Sequence, residues 1–140
     1  MPPRSSVRTA PRCREVDGHY PDQVPIEAYG NGGFRFAGIS HRGSLLCLPT
    51  GMHAWGVTRA SELSHDSLDL VFAVAGDIDV LLIGMGHEIG ALDVRLREAL
   101  RAQRIVVEAI GTGAAARTYN VLLAEQRAVA AALIAVDSAR

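Results

Sequence analysis

The chain contains no lysine: all 14 of its basic residues are arginine. That excludes Schiff-base chemistry of the pyridoxal-phosphate and class I aldolase kind, which needs a lysine amine. It excludes a Walker A loop, whose lysine reaches the phosphates. Any anion bound here must be held by arginine, backbone N–H groups or neutral polar side chains. The high alanine content points to a GC-rich genome as the origin of the bias, and the exclusions hold whatever its origin. Long apolar runs are also missing. None approaches the ~18 residues of a membrane-spanning helix, and the N-terminus lacks the apolar stretch of a secretory signal. Cysteine is scarce: Cys13 lies in a basic segment and Cys47 in an apolar run, so no disulfide framework is expected and a reducing compartment fits. Cys47 reads as a small core hydrophobe. There is no G-x-S-x-G elbow. The histidines His19, His41, His53, His65 and His87 form no H-x-H or H-x-x-x-H pair, so neither a metal nor another cofactor is expected.

What is present suits one domain. The length of 140 residues lies in the usual domain range, and such a chain buries roughly 68–70% of its unfolded surface. The hydrophobic share of 49% and charged share of 21% are ordinary for a globular protein. A net charge of −1 leaves no global basic footprint for nucleic acid. The charge is uneven, however. Residues 1–14 hold Arg4, Arg8, Arg12 and Arg14 and no acid, for +4, and residues 15–140 hold the other 10 arginines and all 15 acids, for −5.

Residues 1–24 are rich in proline and poor in apolar side chains, and read as a disordered basic tail; the single domain is expected over 25–140. The Arg, Ser and Pro content of the tail also matches a mitochondrial transit segment. Three short strands follow around Phe34–Ile39, Ser44–Leu48 and Met52–Val57. Short turns separate them, predicting an antiparallel meander. Leu68, Val71, Phe72 and Ala75 share one helical face after a start at Ser64, although the same stretch also alternates. Val80–Ile83 is a continuous apolar run, as in strands covered on both faces. Leu92, Leu96, Ala99 and Leu100 mark an amphipathic helix, with Asp93 and Arg97 as a supporting i,i+4 pair. Ile105–Ile110 reads as a second buried strand and 114–126 as a helix. Residues 129–136 suit either helix or strand.

The β-α-β unit over 78–110 requires a right-handed crossover, so its two strands end at one edge of the sheet. Gly84-Met85-Gly86 and Gly111-Thr112-Gly113 follow those ends, where ligands of open α/β sheets bind. The spacing Gly84-x-Gly86-x-x-x-Gly90, with Glu108 further on, approaches a dinucleotide fingerprint. The commoner reading is a tight turn in which glycine permits positive φ. Thr112 reads as the N-cap of the helix that follows. The start of that helix, with Arg117 as clamp, forms a candidate anion site. Its candidate residues are Gly84, Gly86, Thr112, Gly113, Arg117, Thr118, Tyr119 and Asn120. The alternative is a capped core helix with Tyr119 packed and Asn120 bonded to a neighbouring loop. Asp77 and Asp79 read as a solvated turn. Arg95, Arg97, Arg101 and Arg104 read as a solvated face or, alternatively, a partner surface.

Three stretches together resemble a known family. They are Gly33-Phe34-Arg35-Phe36 with Gly43-Ser44-Leu45-Leu46 and Trp55; Asp79-Val80-Leu81-Leu82-Ile83-Gly84-Met85-Gly86; and the run Thr112-Gly113-Ala114-Ala115-Ala116-Arg117-Thr118-Tyr119-Asn120-Val121-Leu122-Leu123-Ala124-Glu125, followed by Arg127. The family is the archaeal-type (Mth-type) domain of unknown function shared with the mitochondrial respiratory complex I assembly factor, and the resemblance covers about residues 25–135. It implies an α/β, three-layer fold: a central mixed sheet of about five strands, one of them antiparallel, with helices on one side and extra strands on another. It also favours strand for 129–136. Where many relatives carry Thr this chain has Met85, and where many carry Cys it has Ala116, so neither a Thr-hydroxyl nor a thiol mechanism is expected there.

The function expected is that of a non-enzymatic accessory or assembly protein acting through protein contact, with respiratory complex assembly implied by the resemblance. The expected partner is a protein, a homo-oligomer remains open, and nucleic acid is not expected. The expected location is the cytoplasm, or the mitochondrion if the tail is a transit segment. The alternative is a small anion-binding protein or enzyme with its site at the carboxyl edge of the sheet.

Overall fold

The structure is a computed structural model that describes residues 19–87 and 90–138. Its strands are β1 (His19–Tyr20), β2 (Ala28–Gly30), β3 (Gly33–Phe36), β4 (Ile39–Arg42), β5 (Ser44–Leu48), β6 (Gly51–Trp55), β7 (Val80–Gly84), β8 (Val106–Ile110) and β9 (Val129–Leu133). Its helices are α1 (Asp69–Ala73), α2 (Val94–Ala102) and α3 (Thr112–Ala124), with 3-10 turns on either side of α1. Six strands form one sheet in the order β1-β6-β5-β9-β7-β8, and β2-β3-β4 form a separate antiparallel sheet.

The expected α/β class, mixed sheet and three layers are all present; the details differ. The main sheet has six strands rather than about five. Its β7, β8 and β9 are mutually parallel, while β5 runs antiparallel to both β9 and β6, and β1 antiparallel to β6. Two strands therefore run against the others, not one. The expected meander is divided: 34–39 belongs to a hairpin in the small sheet, and β5 and β6 belong to the large one. Gly43, at φ 95°, makes the turn between the two sheets, a conformation glycine adopts without a Cβ clash.

Helices lie on both faces of the main sheet. One face packs Leu46, Leu81, Ile83 and Ala130 against Leu68 and Val71 and against Leu96 and Leu100 of α2. The other packs Leu45, Leu82, Ala131 and Leu133 against Ala115 and Tyr119 of α3 and against Phe34, Phe36 and Ile39 of the small sheet. The C-terminal run is a strand, as the resemblance implied. It occupies the centre of the sheet, and its five residues are all buried. Covering on both faces explains its unbroken apolar character.

Three local expectations are corrected. Ile105–Ile110 does not form a buried strand, because β8 is the edge of the sheet and Val106 is 61% exposed. The helix after Ser64 is a single short α-helix flanked by 3-10 turns. Asp93 caps α2 by accepting a hydrogen bond from the Leu96 N–H at 3.2 Å, a use of the carboxylate that competes with pairing to Arg97. Residues 19–24 also fall within the ordered fold: His19 pairs with His53, and Tyr20 with Met52. The rest of the expected tail lies outside the described residues.

Candidate functional site

The carboxyl ends of β7 and β8 meet the first turn of α3, and the two Gly-containing loops are bonded to each other. The Ile134 N–H donates to the Gly84 carbonyl at 3.0 Å, and the Met85 N–H to the Ile110 carbonyl at 2.7 Å. The Thr112 N–H donates to the Gly86 carbonyl at 3.1 Å. In return, the Gly86 N–H donates to Thr112 Oγ1 at 3.0 Å, and the Thr112 hydroxyl donates to the Ile134 carbonyl at 2.7 Å. Gly84 makes this approach possible. A Cβ there would lie 2.9 Å from Thr112 Cα and 3.1 Å from Leu133 Cδ2.

Two expectations change as a result. Thr112 is not the N-cap; Gly111 is, and no side chain caps that end. The Thr112 hydroxyl is buried and joins the β7 loop to the end of β9, so its proton is held by a carbonyl and it is not a free nucleophile. The dinucleotide reading also gives way. Gly86 directs its N–H at Thr112, and the next helix, α2, begins only at Val94. The loop is a tight turn, with Gly86 at φ 80°.

Of the candidate residues, Gly86, Thr112, Gly113 and Arg117 line one hollow of about 250 Å³. Gly84 lies buried beneath it. Thr118 is exposed and does not line the hollow. Tyr119 and Asn120 turn away to hold the chain before β2. The Tyr119 hydroxyl donates to the Val24 carbonyl at 2.8 Å, and Asn120 bonds the backbone of Ile26. They follow the alternative reading of a packed helix. Burial pushes the ionisation of both Tyr119 and the neighbouring Cys47 thiol well above their usual ranges, which keeps both groups neutral in the core.

Sequence reasoning missed Tyr29, His87 and Val136, which also line the hollow. Tyr29 covers the first turn of α3: a Cβ on Gly113 would collide with its hydroxyl. A second, larger hollow of about 690 Å³ shares Gly86, His87 and Val136 with the first and has Arg59, Ser61 and Asp137 among its lining. Each hollow therefore has one arginine, Arg117 in the first and Arg59 in the second. Among the described residues one group of potential metal ligands occurs, His65, Asp66 and Asp69, all exposed, and none of them lines either hollow.

The layered sheet has the fold of an Mth938-like domain. The same fold is seen in the solution structure of a Bordetella pertussis protein with an Mth938-like domain (TM-score 0.73, 27% identical, covering 83% of this chain and 87% of that one). The crystal structure of an outer membrane protein from Bartonella henselae matches at a TM-score of 0.81 and 49% identity, over 84% of this chain and 99% of that one. The chain belongs to the family described as protein of unknown function (DUF498/DUF598), whose model matches residues 26–134.

Among its relatives is an uncharacterised protein of Rhodobacter capsulatus, 41% identical over 116 residues, which are 83% of this chain and 88% of that protein. Another is the NADH dehydrogenase (ubiquinone) 1 alpha subcomplex assembly factor 3 of Xenopus tropicalis, 31% identical over 109 residues. The match covers 78% of this chain but only 60% of that assembly factor. No helix among the described residues is long and apolar enough to cross a membrane.

Proposed function

We propose that this protein is a non-enzymatic accessory factor that acts by protein–protein contact in the assembly of a larger complex. The observation that carries this reading is its kinship with an NADH dehydrogenase assembly factor. Subunits of a respiratory NADH dehydrogenase are the partner class this kinship suggests, with the cytoplasm of a bacterium as the setting. The site chemistry supports the reading. The Thr112 hydroxyl, at the first residue of α3, is bonded on both sides within the fold. Cross-linking in native lysate followed by capture and mass spectrometry tests it. Specific enrichment of respiratory-complex subunits is expected, and recovery of no specific partner after cross-linking would sink the proposal.

A second reading rests on a different observation, the hollow at the start of α3 with Arg117 on its rim. A small carboxylate or phosphate seated there would face the positive end of the helix and a guanidinium. A thermal-shift series against phosphates, nucleotides and carboxylates checks it. Ligand at 100 times its Kd adds about 2.7 kcal/mol, and Arg117→Ala should remove that gain. A flat response to the whole series rejects this reading.

A further inference from the structure

We propose that the open edge of β8, with the arginines of α2 beside it, receives an extended acidic segment of a partner protein as an added strand. The inference rests on the partner-contact reading above and gives that contact a place and a chemistry. The Val106 N–H donates to the Asp79 carbonyl at 2.9 Å, and the Ile110 carbonyl accepts from the Met85 N–H at 2.7 Å. Backbone direction alternates along a strand, so Val107 and Ala109 turn their N–H and C=O groups to the open side. The sheet ends at β8, and no described strand pairs with that side. Such a row of unpaired groups is a template for another chain, which proteins usually blunt with proline, bulges or a cover. Residues 106–110 contain no proline, and Val106 stands well exposed.

The charge lining the hollow on the α2 side of this edge is of one sign. Arg97, Arg101 and Arg104 line a hollow of about 340 Å³ together with Ile105, Val106 and Val107. Among the described residues none of the three arginines is in an ion pair; the ion pair present is Arg35 with Glu27. The side chains of Val107 and Ala109 pack toward the α2 core. Glu108 therefore faces the other layer and does not neutralise the hollow. Arg104 sits at φ 65°, in the left-handed position after α2 that glycine takes without strain. The Ile105 N–H reaches the Leu100 carbonyl at 3.1 Å and the Arg104 N–H the Arg101 carbonyl at 2.8 Å, which fixes that turn.

The occupant follows from these features. The chain's own residues 1–14 carry +4 and would be repelled. A second copy pairing edge to edge about an axis normal to the sheet would set three arginines against three. Nucleic acid would satisfy the arginines but has no amide ladder to fill the strand edge. An acidic peptide in extended form meets both demands, through main-chain bonds for affinity and carboxylates for selection.

The test titrates the full, isotope-labelled chain with a capped peptide of alternating Glu and Val, read by amide shifts and hydrogen exchange. Slowed exchange and shifted resonances at Val107 and Ala109 are expected. The exposed-arginine variant R97Q/R101Q/R104Q, checked for an unchanged amide spectrum elsewhere, should bind about tenfold or more weakly. A peptide of equal charge with proline at alternate positions should not protect the edge. Equal binding by the proline peptide or by a Lys/Val peptide overturns the inference. So do perturbations centred away from β8, an absence of binding at millimolar peptide, preferential binding of an RNA oligomer, or dimerisation through β8. Cross-linked partners that map away from β8 would overturn this inference alone. Peptide binding at β8 without any captured partner would remove the assembly reading and leave the strand-addition surface in place.

Discussion

Asn120 bonds both backbone polar groups of Ile26: its Oδ1 accepts from the Ile26 N–H at 2.8 Å and its Nδ2 donates to the Ile26 carbonyl at 2.8 Å. The side-chain amide thus stands in for a neighbouring strand, and it fixes where the chain enters the small sheet. Tyr119 holds Val24 beside it. Asn120→Ala leaves a donor and an acceptor without partners next to a buried residue, and should lower unfolding free energy by about 2–3 kcal/mol. Tyr119→Phe loses the bond to the Val24 carbonyl and a weak contact with the Met52 sulfur, and should cost about 1 kcal/mol. Urea unfolding of the two variants checks both the order and the size.

Thr112 joins the Gly86 N–H to the Ile134 carbonyl through one hydroxyl. Thr112→Val keeps the shape and removes both bonds, at an expected cost of about 2–3 kcal/mol. Thr112→Ser keeps the bonds and should cost under about 1 kcal/mol, the loss of one buried methyl. If the two variants melt together, the hydroxyl is not the staple described above.

His53 stacks on His19 with ring centroids 4.4 Å apart. Burial, and secondarily the charge of His19, lower its pKa from the ordinary 6.5. The folded protein therefore holds His53 neutral where the unfolded chain is already taking up a proton. Its contribution is present above about pH 6.5 and is lost as pH falls from there toward the folded value. Stability should decline over that window, and His53→Gln should flatten the decline. A ring titration by NMR with a midpoint at or above 6.5 would contradict this account.

Gln126 follows α3 at φ 62°. The Arg127 N–H donates to the Leu122 carbonyl at 3.0 Å and the Gln126 N–H to the Leu123 carbonyl at 2.9 Å, the bond pair of a Schellman turn. Glycine adopts this conformation without a Cβ clash. Gln126→Gly should stabilise the protein by about 0.5–1 kcal/mol, visible as a rise in melting temperature. A fall would show that the glutamine side chain makes a compensating contact.

The β-α-β unit and the meeting of two glycine loops were legible because both depend on local period and on the fixed hand of the crossover. Other features depend on which strands become neighbours. Val106-Val107-Glu108-Ala109-Ile110 reads alike in the middle of a sheet or at its margin, since composition records what a strand packs on and not whether it is paired on both sides. Thr112 reads as a cap in sequence because its partner Ile134 lies 22 residues away, beyond any local signal. His19 and Tyr20 sit in a polar, proline-flanked stretch, and only the register against β6 makes them a strand. Thr118, Tyr119 and Asn120 adjoin Arg117 in sequence, but successive helical residues point in different directions.

Strand β9 lies between β5 and β7, though it is the last of the described strands in sequence order. Residues 19–55 can pair β1, β6 and β5, and residues 80–110 can pair β7 with β8, without β9. Until residues 129–133 arrive, each of these two sheets keeps one bare margin that the other cannot fill. On the ribosome, where chains grow at about 5–20 residues per second, the two margins stay open until residues 129–133 have been made. Strand β9 closes both at once, so a chain still lacking residues 129–133 is the form most exposed to pairing with the wrong neighbour.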